Sequence, residues 1–119
     1  MKKTVFYYVD REGRNPVWEF IKDLPSAERE KCFAYIEYLE QAGEQIRRPV
    51  GDYLGGKLYE LRPKQIRILY FFYWKRHIVL VHAFRKKTDA VPRCEAAVAI
   101  KRMNDFIQRA QNGELELRE

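Results

Sequence analysis

The sequence predicts a single α+β domain, and three observations carry that expectation. Residues 57–87, KLYELRPKQIRILYFFYWKRHIVLVHAFRKK, hold three runs rich in Ile, Val, Tyr and Phe, broken only at Pro63-Lys64 and Lys75-Arg76, as in an antiparallel meander. The segments flanking this stretch repeat their apolar residues at helical spacing instead of alternating. Finally, 119 residues with 46% hydrophobic content are enough for one core and too few for two domains. The expected order is β-α-α-β-β-β-α, a helical hairpin and a C-terminal helix packed on a mainly antiparallel, twisted sheet.

Each element has its own signal. Residues 4–9 are β-branched and aromatic, which fits a first strand, and the charged 10–15 segment with Gly13 is the turn after it. Asn15-Pro16 starts a helix, because the Asn oxygen can cap free amides and Pro at the first helical position loses no hydrogen bond. Val17, Trp18, Phe20, Ile21 and Leu24 follow at helical spacing, with Trp18 expected in the core. Leu24-Pro25 stops that helix, Ser26 is placed to cap the next, and Gly43 suits its C-terminal end. Residues 45–56, with Pro49, Gly51 and Gly55-Gly56, read as a long irregular connection. Beyond the meander, Pro92 opens a third helix with Ala96, Ala99, Ile100, Met103, Phe106, Ile107 and Ala110 on one side. Gly113 ends it, and residues 114–119 are expected to fray.

A two-residue loop at Pro63-Lys64 pairs Leu61 with Ile66, Glu60 with Arg67 and Tyr59 with Ile68. The same reasoning at Lys75-Arg76 pairs Trp74 with His77, His82 with Leu69 and Phe84 with Arg67. One face then carries Tyr59, Leu61, Ile66, Ile68, Tyr70, Val79 and Val81. The other carries Glu60, Arg62, Arg67, His82, Phe84 and Lys86. Glu60 beside Arg67 is also what an ordinary cross-strand ion pair on a solvated face looks like.

Charge is concentrated in the same stretch. Its net charge is +8, from Lys57, Arg62, Lys64, Arg67, Lys75, Arg76, Arg85, Lys86 and Lys87 against Glu60 alone, whereas the whole chain carries +6. A local positive field points to a polyanionic partner, nucleic acid among them. Cys32 and Cys94 have neither disulfide-framework nor zinc-ligand spacing, and no phosphate-loop, metalloprotease, serine-hydrolase or two-metal nuclease motif occurs. No cofactor or metal is therefore expected. The N-terminus reaches Asp10, Arg11 and Glu12 before a signal-peptide core could form, and the longest apolar block is strand-sized, so a soluble cytoplasmic protein with no membrane contact is expected.

The motifs Leu58-Tyr59-Glu60-Leu61-Arg62, Ile66-Arg67-Ile68-Leu69-Tyr70 and Leu80-Val81-His82-Ala83-Phe84-Arg85-Lys86-Lys87-Thr88, with the element order, cover nearly the whole chain. In these the sequence resembles the RelE/HigB-type toxins of bacterial type II toxin–antitoxin systems, in particular the phage-derived HigB-like branch of the RelE/ParE superfamily. The resemblance implies one RelE-like domain over residues 1–119 that cleaves messenger RNA on the ribosome and inhibits translation. It further implies a helix-turn-helix, HigA-like antitoxin in a hetero-oligomer, and an active surface on the concave sheet face at Arg62, Arg67 and Lys86-Lys87. Leu58 and Glu60 stand where such toxins are expected to carry two lysines. That departure keeps a second reading open, a ParE-like toxin that inhibits DNA gyrase, and a third, an inactive prophage protein that only binds RNA or antitoxin.

Metal-free RNA cleavage needs a base for the 2′-hydroxyl proton, cations for the phosphorane and an acid for the departing 5′ oxygen. Arg62 and Arg67 suit the phosphate, being always charged and able to grip it bidentately. Glu60 or His82 could move the proton, and Lys86 completes the expected catalytic group. Lys57, Lys64, Arg85 and Lys87 are expected to bind RNA, with Phe84 or Tyr59 stacking a splayed base. The 4–9 edge strand or the helical hairpin is the expected antitoxin surface.

Overall fold

The structure is a computed structural model and describes residues 3–74 and 76–117. Five strands form one sheet in the order β1-β5-β4-β3-β2: β1 (Thr4–Tyr7), β2 (Gly51–Gly55), β3 (Leu58–Leu61), β4 (Ile66–Tyr73) and β5 (His77–Arg85). β1 runs parallel to β5 and the other neighbours are antiparallel. Helices α1 (Pro16–Lys22) and α2 (Ser26–Ala42) cover one face, and α3 (Arg93–Gln111) covers the other. Both faces of the central strands are consequently core. Val17, Ile21, Cys32, Ile36 and Leu39 meet Leu61, Ile66, Ile68, Tyr70, Ile78 and Leu80 on the hairpin side. Leu58, Leu69, Phe71, Val79, Val81 and Phe84 meet Ala99, Met103 and Phe106 on the α3 side.

The first helix begins as its sequence requires. Asn15 Oδ1 accepts from the Trp18 amide at 3.2 Å, Glu19 Oε2 accepts from the Asn15 amide at 2.9 Å, and Pro16 is the first helical residue. Ser26 does not cap α2, since it lies inside the helix and Pro25 occupies the cap position. Trp18 is not core either: it is 42% exposed and stacks on Phe33 of α2, with ring centroids 5.9 Å apart.

Three further expectations need correction. The 45–56 segment is not wholly irregular, because Gly51–Gly55 pairs antiparallel with β3 and adds a strand between the hairpin and the meander. The first meander turn lies at Lys64-Gln65, where the Ile66 amide donates to Pro63 O at 3.0 Å, so Leu61 opposes Ile68 and Glu60 opposes Leu69. Tight hairpin turns need φ > 0 at their first central residue, which Pro63 cannot adopt and Lys64 does, at 54°. Sliding the turn by one moves the pairing by two, so Glu60, Arg62 and Arg67 stay on one face. In the second hairpin Leu69 opposes His82 and Arg67 opposes Phe84 as expected, but a bulge follows and Tyr73, not Trp74, opposes His77. Val79 and Val81 accordingly belong to the α3 face. Part of that loop, Lys75, lies outside the described residues.

The tail expected to fray makes contacts over 114–117. Leu115 and Leu117 pack against the α3-side core, and Glu114 Oε1 accepts from Arg11 Nη1 at 3.0 Å. Arg118 and Glu119, the rest of that tail, lie outside the described residues. Among the described residues no helix is long and apolar enough to cross a membrane.

Candidate functional site

Strand alternation turns Leu58 and Glu60 of β3, Arg62 just beyond its end and Arg67 of β4 toward the α3 side, three of the four being charged. Glu60 and Arg67 are nevertheless only 2% and 3% exposed. Arg62 Nη1 donates to Glu60 Oε2 at 2.7 Å, and Arg67 Nε lies 3.8 Å from Glu60 Oε1, too far for a hydrogen bond. Arg67 Nη1 donates to Lys64 O at 2.9 Å and Ile66 O at 2.8 Å, so this guanidinium also closes the β3–β4 turn. Burial first, then the neighbouring Arg62, lowers its pKa, yet a guanidinium stays charged in any protein environment. Glu60 Oε1 is buried with no hydrogen-bond donor among the described residues.

Beside this cluster lies a cleft of about 600 Å³ between the β2–β3 hairpin and α3. Leu54 and Leu58 form one wall, Val91, Ala96 and Ile100 the other; Glu60 lies deep between them, with Arg48 and Asp89 at the mouth. Arg48 Nε pairs with Asp52 Oδ2 at 2.9 Å and Lys86 Nζ with Asp89 Oδ1 at 3.1 Å. The hydrogen bonds from Arg48 and Lys86, respectively, hold the Asp52 and Asp89 carboxyls below their usual range.

Of the expected catalytic residues, then, Arg62, Glu60, Arg67 and Lys86 come together and His82 does not. His82 is clamped between β5 and α3, its Nε2 2.7 Å from Glu95 Oε1 and its Nδ1 3.1 Å from Arg102 Nη1. Arginine can only donate, so Nδ1 accepts and the ring proton sits on Nε2, donated to Glu95. Burial, the largest cause, outweighs the Glu95 hydrogen bond and lowers the His82 pKa.

The expected RNA contacts divide in the same way. Lys57 is exposed in the β2–β3 turn next to the cleft residues Gly55 and Gly56, and Lys87 is exposed beside Lys86. Arg85 faces the helical hairpin, where its Nη1 and Nη2 donate to both Glu28 oxygens at 2.7 and 2.8 Å, and the exposed Lys64 acts electrostatically on the same Glu28. Phe84 is buried under α3 against His82, ring centroids 5.5 Å apart, and Tyr59 lies on the hairpin face among Tyr53, Tyr70 and Phe72. Neither ring reaches the cleft. Sequence reasoning missed Arg48, Asp52 and Asp89; the Arg47-Arg48 pair was the available signal, hidden in a segment read as a connection.

A five-stranded mixed sheet with a helical pair on one face and a single helix on the other has the architecture of the RelE-type toxins. The structure is similar to the toxin–antitoxin complex RelBE2 from Mycobacterium tuberculosis, with a TM-score of 0.50 and 15% identity over 72% of this chain and 100% of that one. Residues 19–104 match the family described as phage derived protein Gp49-like (DUF891). The chain belongs to that family, which is of the RelE/HigB toxin type. No curated protein matches its sequence.

Proposed function

We propose that this protein is the toxin of a toxin–antitoxin pair and that it cleaves messenger RNA in the ribosomal decoding site, without a metal. The observation that carries the reading is the buried Arg62–Glu60–Arg67 cluster beside a cleft whose mouth holds Arg48, with Lys86 next to Asp89. In the reaction the 2′-hydroxyl gives its proton to solvent water as its oxygen attacks the adjacent phosphorus, the bond from phosphorus to the 5′ oxygen breaks, and the 5′ oxygen takes a proton from Lys86 and leaves as a hydroxyl. Negative charge develops on the non-bridging oxygens, and a guanidinium fixed beforehand stabilises it without reorganising. Arg62 supplies that group. Glu60 acts as a positioning residue, its Oε2 holding Arg62 while Arg67 balances the buried carboxylate. Lys86 is the proton donor nearest the mouth, and Arg48, Lys57 and Lys87 guide the strand. The partner is a helix-turn-helix, HigA-like antitoxin in the cytoplasm, and the exposed Trp18–Phe33 pair on the helical hairpin is the surface that suits it.

Expression without antitoxin should halt translation and leave ribosome-bound transcripts cut. Arg62→Ala should slow cleavage by about 10² to 10³, the usual loss for one transition-state donor. Intact transcripts and continued translation in the wild type would sink the reading.

One observation favours a second reading. Both groups expected to move protons are held, Glu60 by Arg62 and His82 by Glu95 and Arg102. A ParE-like toxin acting on DNA gyrase needs no proton transfer, and a supercoiling assay with the purified protein decides: inhibition by this protein, with ribosomal transcripts left whole, selects it.

A further inference from the structure

We infer that the cleft between the β2–β3 hairpin and α3 is a slot for one base of the RNA and that it selects guanine through Glu60. This rests on the reading of the protein as an RNA-cleaving toxin and names what that site prefers.

Two features of the cleft belong together. Its walls offer large aliphatic side chains to solvent, Leu54 at 37% and Ile100 at 42% exposure, one from each side. A flat, weakly polar ring between apolar side chains is how an unstacked base is ordinarily held. The volume of about 600 Å³ is that of a small-ligand site. Beyond the walls lies a carboxylate that is almost wholly buried and only half used in hydrogen bonds: Oε2 accepts from Arg62 at 2.7 Å, and Oε1 has no hydrogen-bond donor among the described residues, Arg67 Nε standing 3.8 Å away. A buried oxygen without a donor costs about 1–3 kcal/mol, so the site favours a ligand that supplies one.

The chemistry of the acceptor chooses among the bases. A carboxylate only accepts, through two oxygens that can take parallel donors. Guanine alone presents two adjacent donors on its Watson–Crick edge, N1–H and the N2 amino group. Adenine and cytosine each set one amino donor beside an acceptor nitrogen, which a carboxylate repels. Uracil has one N–H between two carbonyls. Arg48 stands at the mouth, tied to Asp52 at 2.9 Å on the surface, and is free to swing onto the phosphate that follows the base.

The test uses the whole chain and the 3′-monophosphates of guanosine, inosine, adenosine, cytidine and uridine, followed by amide chemical shifts. Guanosine monophosphate should shift Leu54, Leu58, Glu60 and Ile100 and bind about tenfold tighter than the inosine compound, which lacks only the N2 donor. Ile100→Arg, at an exposed position, should fill the slot, abolish that preference and keep phosphate binding. Glu60→Gln should abolish it as well, since a carboxamide offers one acceptor and one donor. Equal binding of all five nucleotides, or shifts confined to Arg62 and Lys86, overturns the inference. Cut-site mapping separates it from the reading beneath it: cleaved transcripts with no guanine bias at any fixed offset defeat the slot alone. Uncut transcripts defeat the nuclease, with the nucleotide preference still decisive for the slot.

Discussion

Arg67 of β4 and Arg62 just after β3 face the same carboxylate, and only Arg67 also bonds the turn. Arg67→Ala strips the turn carbonyls of Lys64 and Ile66 of their donor and leaves Glu60 buried beside one cation only. Breaking a buried pair by deleting one partner costs about 3–5 kcal/mol, so urea unfolding should show a loss of that size. A loss under about 1 kcal/mol would mean that the pair is solvated after all. Register and resemblance converge on Arg67, but removing either arginine takes a partner from buried Glu60, so the activity of Arg67→Ala and of Arg62→Ala is read beside the urea unfolding of the same variant. His82 gives a prediction in pH. Its folded pKa lies below the ordinary 6.5, so the unfolded chain binds its proton first as pH falls. Its contribution to stability is therefore complete above about 6.5 and is lost as pH drops from there toward the folded value. Among the groups facing the ring, Glu95 favours the charged form and Arg102 the neutral one. Urea midpoints should fall between pH 7 and pH 5, and His82→Gln should flatten that fall; a fall of equal size in the variant would assign it to other groups.

β2 exists because β3 offers it an edge, and the contact is close. A methyl group at Gly51 would meet Glu60 O at 2.6 Å and Ile46 Cγ2 at 2.8 Å, so Gly51→Ala must push β2 off β3. An overpacking cost of about 1–3 kcal/mol is expected, with faster amide exchange along residues 51–55. Gly13→Ala, with nothing within 4 Å of the added carbon, should show only the strain of its positive φ and no change at β2. The same closeness explains why β2 was illegible: Gly-Asp-Tyr-Leu-Gly after Pro49 has the composition of a loop, and its strand is settled by pairing across the sheet, not by propensity. The bulge in β5 was hidden for a different reason. Ile78-Val79-Leu80-Val81 is buried on both faces, so no alternation of apolar and polar residues marks where one residue is extra. The first turn, in contrast, was readable, since Pro63 cannot take the positive φ that a tight hairpin needs. Glu60, Arg62 and Arg67 were grouped correctly because their parity survives a two-residue slip. His82 and Phe84 shared that parity, but nothing in it shows that α3 covers their end of the face.

At the scale of the whole molecule, the positive charge read from one stretch divides between two faces. Arg85 and Lys64 lie toward Glu28 on the hairpin side, while Arg48 lines the cleft, Arg62 and Lys86 bind its lining residues Glu60 and Asp89, and exposed Lys87 follows Lys86 in the chain; Asp52 and Asp89 partly offset them. A polyanion that binds at the cleft should therefore sense only the second group. Each phosphate neutralised on a single strand adds about −0.7 to the slope of log affinity against log salt, so four such contacts give a slope of about −3. Fluorescence anisotropy with a short guanine-containing RNA, from low to physiological salt, measures it. Lys87→Gln and Arg48→Gln should each make the slope shallower by about 0.7 and weaken binding to all sequences alike. Arg85→Gln breaks a bond to Glu28 on the opposite face and should leave the slope unchanged. If Arg85→Gln lowers the slope as much as Arg48→Gln does, the strand runs over the helical hairpin, and the cleft loses its claim to be where RNA lies.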